Sequence, residues 1–420
     1  MSCSHIPCTH TPCDHMPCDH MPCSGPVPSW EMQLWLQAQQ GRCEEVERLL
    51  QNQEAASRGT IPENGLIIAR ALRVSIVNDH VDTAAVLMTR APRLVQLHER
   101  GCGGFQHVHV AAACGSCDTL RFLLAMKADA EAKSTATGTT PLLLAAERGQ
   151  LGAVQLLLAH RVLVDARDVY RRTALMRAAD QGHVAVAQLL LTHKAKVDLR
   201  DDDGFMPLLC AALGGHVEVS ALLLCSKARV DAADDVGITP LACAASGAHC
   251  DVAVLLLRHR AAVDPVTNPS ADVAAQTPLH VACHCGHVDV ATLLLDSKAS
   301  LDLATIHGHT PLACAVSGNR LAAATLLLRR SANLECTDAR GRTPLAEVCA
   351  RPQSSAGSLR IRRITAKQET QGRLDMAQFL LDAKASVDTV DDLDATPLAL
   401  AIQSGSMAMA SLVRSRGLGP

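Results

Sequence analysis

The feature of this 420-residue chain that most limits its fold is a period. GTTPLLLAAERGQ begins at Gly138, RRTALMRAADQGH at Arg171, GFMPLLCAALGGH at Gly204 and GITPLACAASGAH at Gly237. QTPLHVACHCGH follows from Gln276, GHTPLACAVSGNR from Gly308 and GRTPLAEVCA from Gly341. The proline position recurs at Pro141, Ala174, Pro207, Pro240, Pro278, Pro311, Pro344 and Pro397, in steps of 33, 33, 33, 38, 33, 33 and 53 residues. A unit this short cannot close a core by itself, so neighbouring copies must bury their apolar faces against one another.

Each unit reads as two helices. Threonine before the proline caps a helix, and proline suits its first turn. Leucine and paired alanines then give a short helix with one small, flat face. Gly or Gly-His breaks it. A second apolar block follows (VQLLL, AQLLL, SALLL, AVLLL, ATLLL, ATLLL, AQFLL), and a K-A-x-V-D or similar segment closes the unit.

These residues resemble the ankyrin repeat, whose pattern G-x-T-P-L-H-x-A-A-x-x-G-H is nearly complete at Gln276–His287. GFQHVHVAAACGSCDTLRFLL, from Gly104, fits with His107 at the proline position, and 65–91 and 34–52 keep the helix-pair spacing without Thr-Pro. The resemblance implies an all-α solenoid of stacked helix pairs with hairpin-like fingers, about 11 repeats over residues ~30–417. Degenerate units are expected over 29–100 and clear ones over 101–417, with a finger insertion at 265–275 and a loop insertion between two helices at 351–371. Residues 1–28 stand outside the array as a low-complexity tail, expected to be disordered.

Composition narrows the function classes. Aromatic residues make up 2%, poor material for an enzyme pocket or a base-stacking surface, and a net charge of −3 gives no basic excess for nucleic acid. No apolar run reaches a membrane-spanning length of about 18 residues, and no secretory signal is visible. The 18 cysteines are therefore expected as reduced thiols in the cytoplasm or nucleus. No hydrolase, Walker A or kinase motif appears. His183, His216, His249 and His287, and the cysteines Cys210, Cys243 and Cys314, fall at repeat positions and read as structural. His107-x-His109 followed by Cys114-x-x-Cys117 has zinc-compatible residue types, but the helix pair should point the two ends apart. The expectation is a non-enzymatic, monomeric scaffold or adaptor without a cofactor that binds a partner protein, neither binding nucleic acid nor inserting in a membrane.

Recognition by such arrays, as the resemblance implies, uses the fingers before Thr-Pro and the residues before the helix-breaking glycine. By position the candidates are Phe105, Tyr170, Arg172, Asp202, Phe205, Ile238, His309 and Arg342 on fingers, and Glu147, Arg148, Asp180 and His284 on inner helices. Tyr170 is the single tyrosine of the chain, and at a finger position it needs no core role. Thr365, in the R-R-x-T context of Arg362–Thr365, is a candidate phosphoacceptor within the basic insertion. The tail offers a different chemistry. Cys3, Cys8, Cys13, Cys18 and Cys23 recur at every fifth residue, with His5, His10, His15 and His20 two residues after the first four. These ligand types fit zinc or copper(I), although the spacing is not that of a zinc finger.

Overall fold

The structure, a computed structural model, describes residues 30–56, 65–90, 104–265, 276–350 and 360–417, with backbone only at 54, 56, 65–67, 360–370 and 417. Among these residues it is all-helical, with no strand. The chain divides into two compact units at Asp202/Asp203. The first holds α1 (Trp30–Gln39), α2 (Cys43–Ala56), α3 (Gly65–Val77), α4 (Val81–Arg90), α5 (His107–Cys114), α6 (Cys117–Ala125), α7 (Pro141–Glu147), α8 (Leu151–Ala159), α9 (Ala174–Asp180) and α10 (Val184–Thr192). The second holds α11 (Pro207–Leu213), α12 (Val217–Cys225), α13 (Pro240–Ser246), α14 (Cys250–Arg258), α15 (Pro278–Cys285), α16 (Val288–Asp296), α17 (Pro311–Ser317), α18 (Leu321–Arg329), α19 (Pro344–Ala350), α20 (Arg360–Asp382), α21 (Pro397–Gln403) and α22 (Met407–Gly417).

Helix starts follow the sequence chemistry. Proline stands at the first helical turn of α7, α11, α13, α15, α17 and α21. The hydroxyls of Thr140, Thr173, Thr239, Thr310 and Thr396 accept the third amide of their helices. Met206 stands in the cap place before Pro207 and offers no such acceptor. The paired alanines are buried throughout, Ala145 and Ala146 in α7 for example, and their small size lets first helices pack directly on the next first helix, as α7 does on α9 and α15 on α17.

Cross-repeat hydrogen bonds use side chains that the period places. His183 donates from Nε2 to the Glu147 carbonyl at 3.0 Å, His249 to Leu213 at 3.0 Å and His287 to Ser246 at 3.0 Å. Arg320 takes the same role on the His284 carbonyl at 3.2 Å. The acid that closes one unit accepts a backbone amide of the next: Asp165 from Lys196, Asp231 from Ala262, Asp264 from Ser300 and Asp302 from Asn333. The repeat histidines are thus inter-repeat clamps.

Two stretches depart from the regular period. Most of the finger insertion (266–275), residues 351–359 and the whole 1–28 tail lie outside the described residues. From Arg360 the backbone is helical, so part of the stretch read as a loop extends α20 toward its N-terminus. Its composition, rich in Arg, Lys, Gln, Glu and Ala, favours that outcome. Thr365 lies on this helix, its side chain outside the described residues.

Candidate interaction site

Before each first helix the chain makes a tight finger turn built around one acceptor. Asp168 Oδ1 accepts the amides of Tyr170 (3.0 Å) and Arg172 (2.8 Å). Asp234 does the same for Val236 and Ile238, Asp338 for Arg340 and Arg342, and Asp391 for Leu393 and Ala395. Fingers also join backbone to backbone, Val169 N–H to the Thr137 carbonyl at 2.9 Å and Asp202 N–H to the Tyr170 carbonyl at 3.1 Å in the first unit. In the second, Ala339 donates to His307 at 2.8 Å. These turns demand a left-handed residue three before the proline position: Gly138, Gly204, Gly237, Gly308 and Gly341 all have φ between 63° and 94°. At that position in the 168–172 finger stands Arg171, at φ 60°.

The 168–172 finger is braced from the interior. The Arg177 guanidinium, on the buried face of α9, donates to Glu147 Oε2 at 2.7 Å and to Asp168 Oδ2 at 2.8 Å. Glu147 and Arg177 are both buried, and the Asp168 carboxylate is fully enclosed. Burial pushes the Glu147 carboxyl up, against the opposing pull of Arg177 and Arg172. Arg172 lies 3.3 Å from Asp168 and stacks its guanidinium 5.0 Å from the Tyr170 ring centroid. Tyr170 and Val169 remain outside, 52% and 55% exposed.

The remaining candidates fall into three groups. Ile238 and Asp202 are exposed, and Phe205, Arg148, Asp180 and His284 are half-buried. Burial lowers the Arg148 guanidinium from its ordinary value. Phe105 packs its ring 5.7 Å from His109, His309 lies edge-on to His307 at 6.4 Å, and Arg342 is held by both Nε (3.1 Å) and Nη2 (2.8 Å) on Asp338. Burial pushes the Asp338 carboxyl up, but the Arg342 amide and guanidinium and the Arg340 amide together hold it below its ordinary value. Glu147, read from position as a contact residue, is a buried partner of Arg177. Arg177 itself, Val169 and Arg171 had weaker signals in the sequence. The visible ones are an arginine at a position that elsewhere holds Leu144, Cys210, Cys243, Val281, Cys314 and Leu400, with one other charged residue, Glu347, and an arginine at a position mostly filled by glycine.

The histidine and cysteine groups serve structure. His109 Nδ1 accepts from Gln106 N–H at 3.1 Å and Nε2 donates to the Thr139 carbonyl at 2.9 Å, leaving neither nitrogen for a metal. His280 repeats the arrangement, Nδ1 on Thr277 and Nε2 on the His309 carbonyl at 3.0 Å. Burial pushes the thiols of Cys283, Cys314 and Cys349 up to about 12, so they carry no thiolate at neutral pH. Among the described residues no three His, Cys, Asp or Glu are placed to share a metal, and no helix is long and apolar enough to cross a membrane. The Cys/His residues of the tail, Cys3 to Cys23, lie outside the described residues.

A family model described as ankyrin repeats (3 copies) matches residues 108–201, 188–268 and 262–338. Together these span more than half of the chain, which therefore belongs to the ankyrin repeat family. Ankyrin repeats are in general protein–protein interaction modules. Among solved structures the crystal structure of the human ASB11 ankyrin repeat domain is similar, with 29% identity over 57% of this chain and 98% of that one and a TM-score of 0.47. No curated protein matches the sequence.

Proposed function

We propose that the protein is a non-enzymatic adaptor that engages a partner protein through its finger turns and the adjoining inner-helix ends, with the 168–172 finger as anchor. The observation that carries this reading is the braced Tyr170–Arg172 pair. An aromatic ring half outside the surface, stacked on an arginine whose finger is tied to buried Arg177, combines the residue types that dominate interfaces with little ordering cost. Phe105, Arg148, Asp180 and Asp202 in the first unit, and Phe205, Ile238, His284, His309 and Arg342 in the second, are the further candidate contacts of this reading. The intracellular, reducing location expected from the cysteines belongs to the same proposal. The test is capture of partners by the full chain and by Tyr170→Ala/Arg172→Ala. The variant is expected to lose at least about tenfold of a captured partner with folding unchanged by circular dichroism. Undiminished capture by this variant and by a Phe205→Ala/Ile238→Ala variant overturns the placement.

A second reading is favoured by the pentapeptide recurrence of Cys3 to Cys23 alone: the tail takes up zinc or copper(I) and modifies the array's role. Zinc titration of the full chain against a chain lacking residues 1–28 tests it. Equal zinc uptake by the two chains rejects it.

A further inference from the structure

Each clamped junction between repeats has a donor half and an acceptor half. The donor is the residue just before a second helix. The acceptor is the carbonyl two residues before the left-handed break of the preceding first helix. His80 meets Gln39 in this way at 3.1 Å, as His183 meets Glu147, His249 meets Leu213, His287 meets Ser246 and Arg320 meets His284. The clamping side chain packs where a Cβ would stand on Gly41, Gly149, Gly215 and Gly286.

Two halves are left over, one of each kind. At α21 nothing lies within 4 Å of a Cβ on Gly405, and no donor reaches the Gln403 carbonyl among the described residues. Arg42 holds the donor place before α2, exposed and with no side-chain partner among the described residues. Arg320 shows that an arginine serves in that place.

The apolar contacts divide in the same way. Arg177, five residues before its break, reaches Glu147, two before the break of the helix ahead of it. Leu144, Cys243 and Cys314 are buried at the position of Arg177, but Leu36 in α1 is 41% exposed there. Beside Gln403, Ile402 and Met407 are 53% and 75% exposed, although the outer face of a terminal repeat is ordinarily polar.

We propose that a second copy of this chain completes the junction. α1 and α2 of one copy stack on α21 and α22 of another, with Arg42 donating to the Gln403 carbonyl over Gly405 and Leu36 set against Ile402. The contact is heterologous, so copies add head to tail. This departs from the monomer expected of the sequence and does not depend on the 168–172 finger. One repeat junction is a small interface, so association is expected on the order of tens of micromolar, and the Ile402 face stays open in dilute protein.

Sedimentation velocity of the full chain tests it, with reductant and chelator present so that the tail cysteines play no part. The mean mass should rise with concentration between about 1 and 200 µM. Leu36→Glu alone and Ile402→Glu alone should each stay monomeric, with circular dichroism unchanged. Mixed in equal amounts, the two variants should form a dimer and nothing larger, because one intact face of each kind remains. A symmetric interface cannot give that result. Arg42→Ala should weaken association about fivefold, and Arg42→His should restore it. Tyr170→Ala/Arg172→Ala should leave it intact, so the finger reading and this one fail separately. Should Leu36→Glu fail to fold, Arg42→Glu takes its place in the mixture. A wild-type chain that stays monomeric, association that survives either glutamate variant, or a mixture that stays monomeric overturns the proposal. So does a monomeric chain whose captured partner is lost in Ile402→Glu, which would assign the face to a foreign protein.

Discussion

At the scale of single residues, the period assigns each side chain a duty, and departures from it have measurable costs. Helix breaks use left-handed glycines such as Gly149 (φ 69°) and Gly215 (φ 74°), but Ala248 fills the same place at φ 60°. Ala248→Gly should therefore stabilise the protein by about 0.5–1 kcal/mol, the strain relieved slightly exceeding the added freedom of the unfolded chain. Urea midpoints of the two proteins check this, and no gain would mean that the local backbone has already relaxed around alanine. His280 contributes one share of the pH dependence, beside His107 and His109, which burial also lowers. Burial lowers the His280 imidazole to about 4, although the hydrogen bond to His309 pulls the other way. The unfolded ring titrates near 6.5, so the unfolded state gains protons first as pH falls. Stability is then full above pH 6.5 and drains toward pH 4, by about 2 kcal/mol between pH 7.5 and 5 for this one group. His280→Gln should flatten that limb of the urea-midpoint profile, and an unaltered profile would assign the acid sensitivity elsewhere, His107 (about 4) being the next group.

At the scale of elements, most of the fold was legible. Thr-Pro, paired alanine and Gly-His marked where each first helix starts, packs and stops, and the observed caps at Thr140, Thr239 and Thr310 follow that reading. The helical backbone from Arg360 was not legible, because a misfit to the repeat reveals extra chain and not its conformation. The brace of the anchor finger escaped for a related reason. Sequence position placed Glu147 on a contact surface, whereas Arg177, nine residues after Asp168 and 30 after Glu147, draws both acids into the interior. No periodic rule announces a buried three-member ion network. Arg177→Met should cost about 3 kcal/mol, since it strands two buried carboxylates. Glu147→Gln should cost much less, because burial already disfavours its charge. Equal losses in the two variants would show that the three groups do not act as a network centred on Arg177.

At the scale of the whole molecule, the same repeat position can be followed along the chain. Five residues after the proline position stand Ala146, Ala212, Ala245 and Cys283, each 0% exposed, but Ile402 at the equivalent place in α21 is 53% exposed. In a repeat array each unit draws its stability from its immediate neighbours, so a residue's cost follows its neighbours more than its type. Ala245→Gln should then cost about 2–4 kcal/mol, from overpacking and an unpaired buried amide. Ile402→Gln should change stability by less than about 0.5 kcal/mol, a larger residue replaced at almost no loss. Hydrogen exchange should follow the same gradient, with α21 and α22 opening at lower free energy than α13 and α15. If Ile402→Gln proved as costly as Ala245→Gln, or α22 exchanged as slowly as α15, the face carrying Ile402 would have to be covered in solution, and nearest-neighbour stacking of the described helices would not suffice to account for the stability of the array.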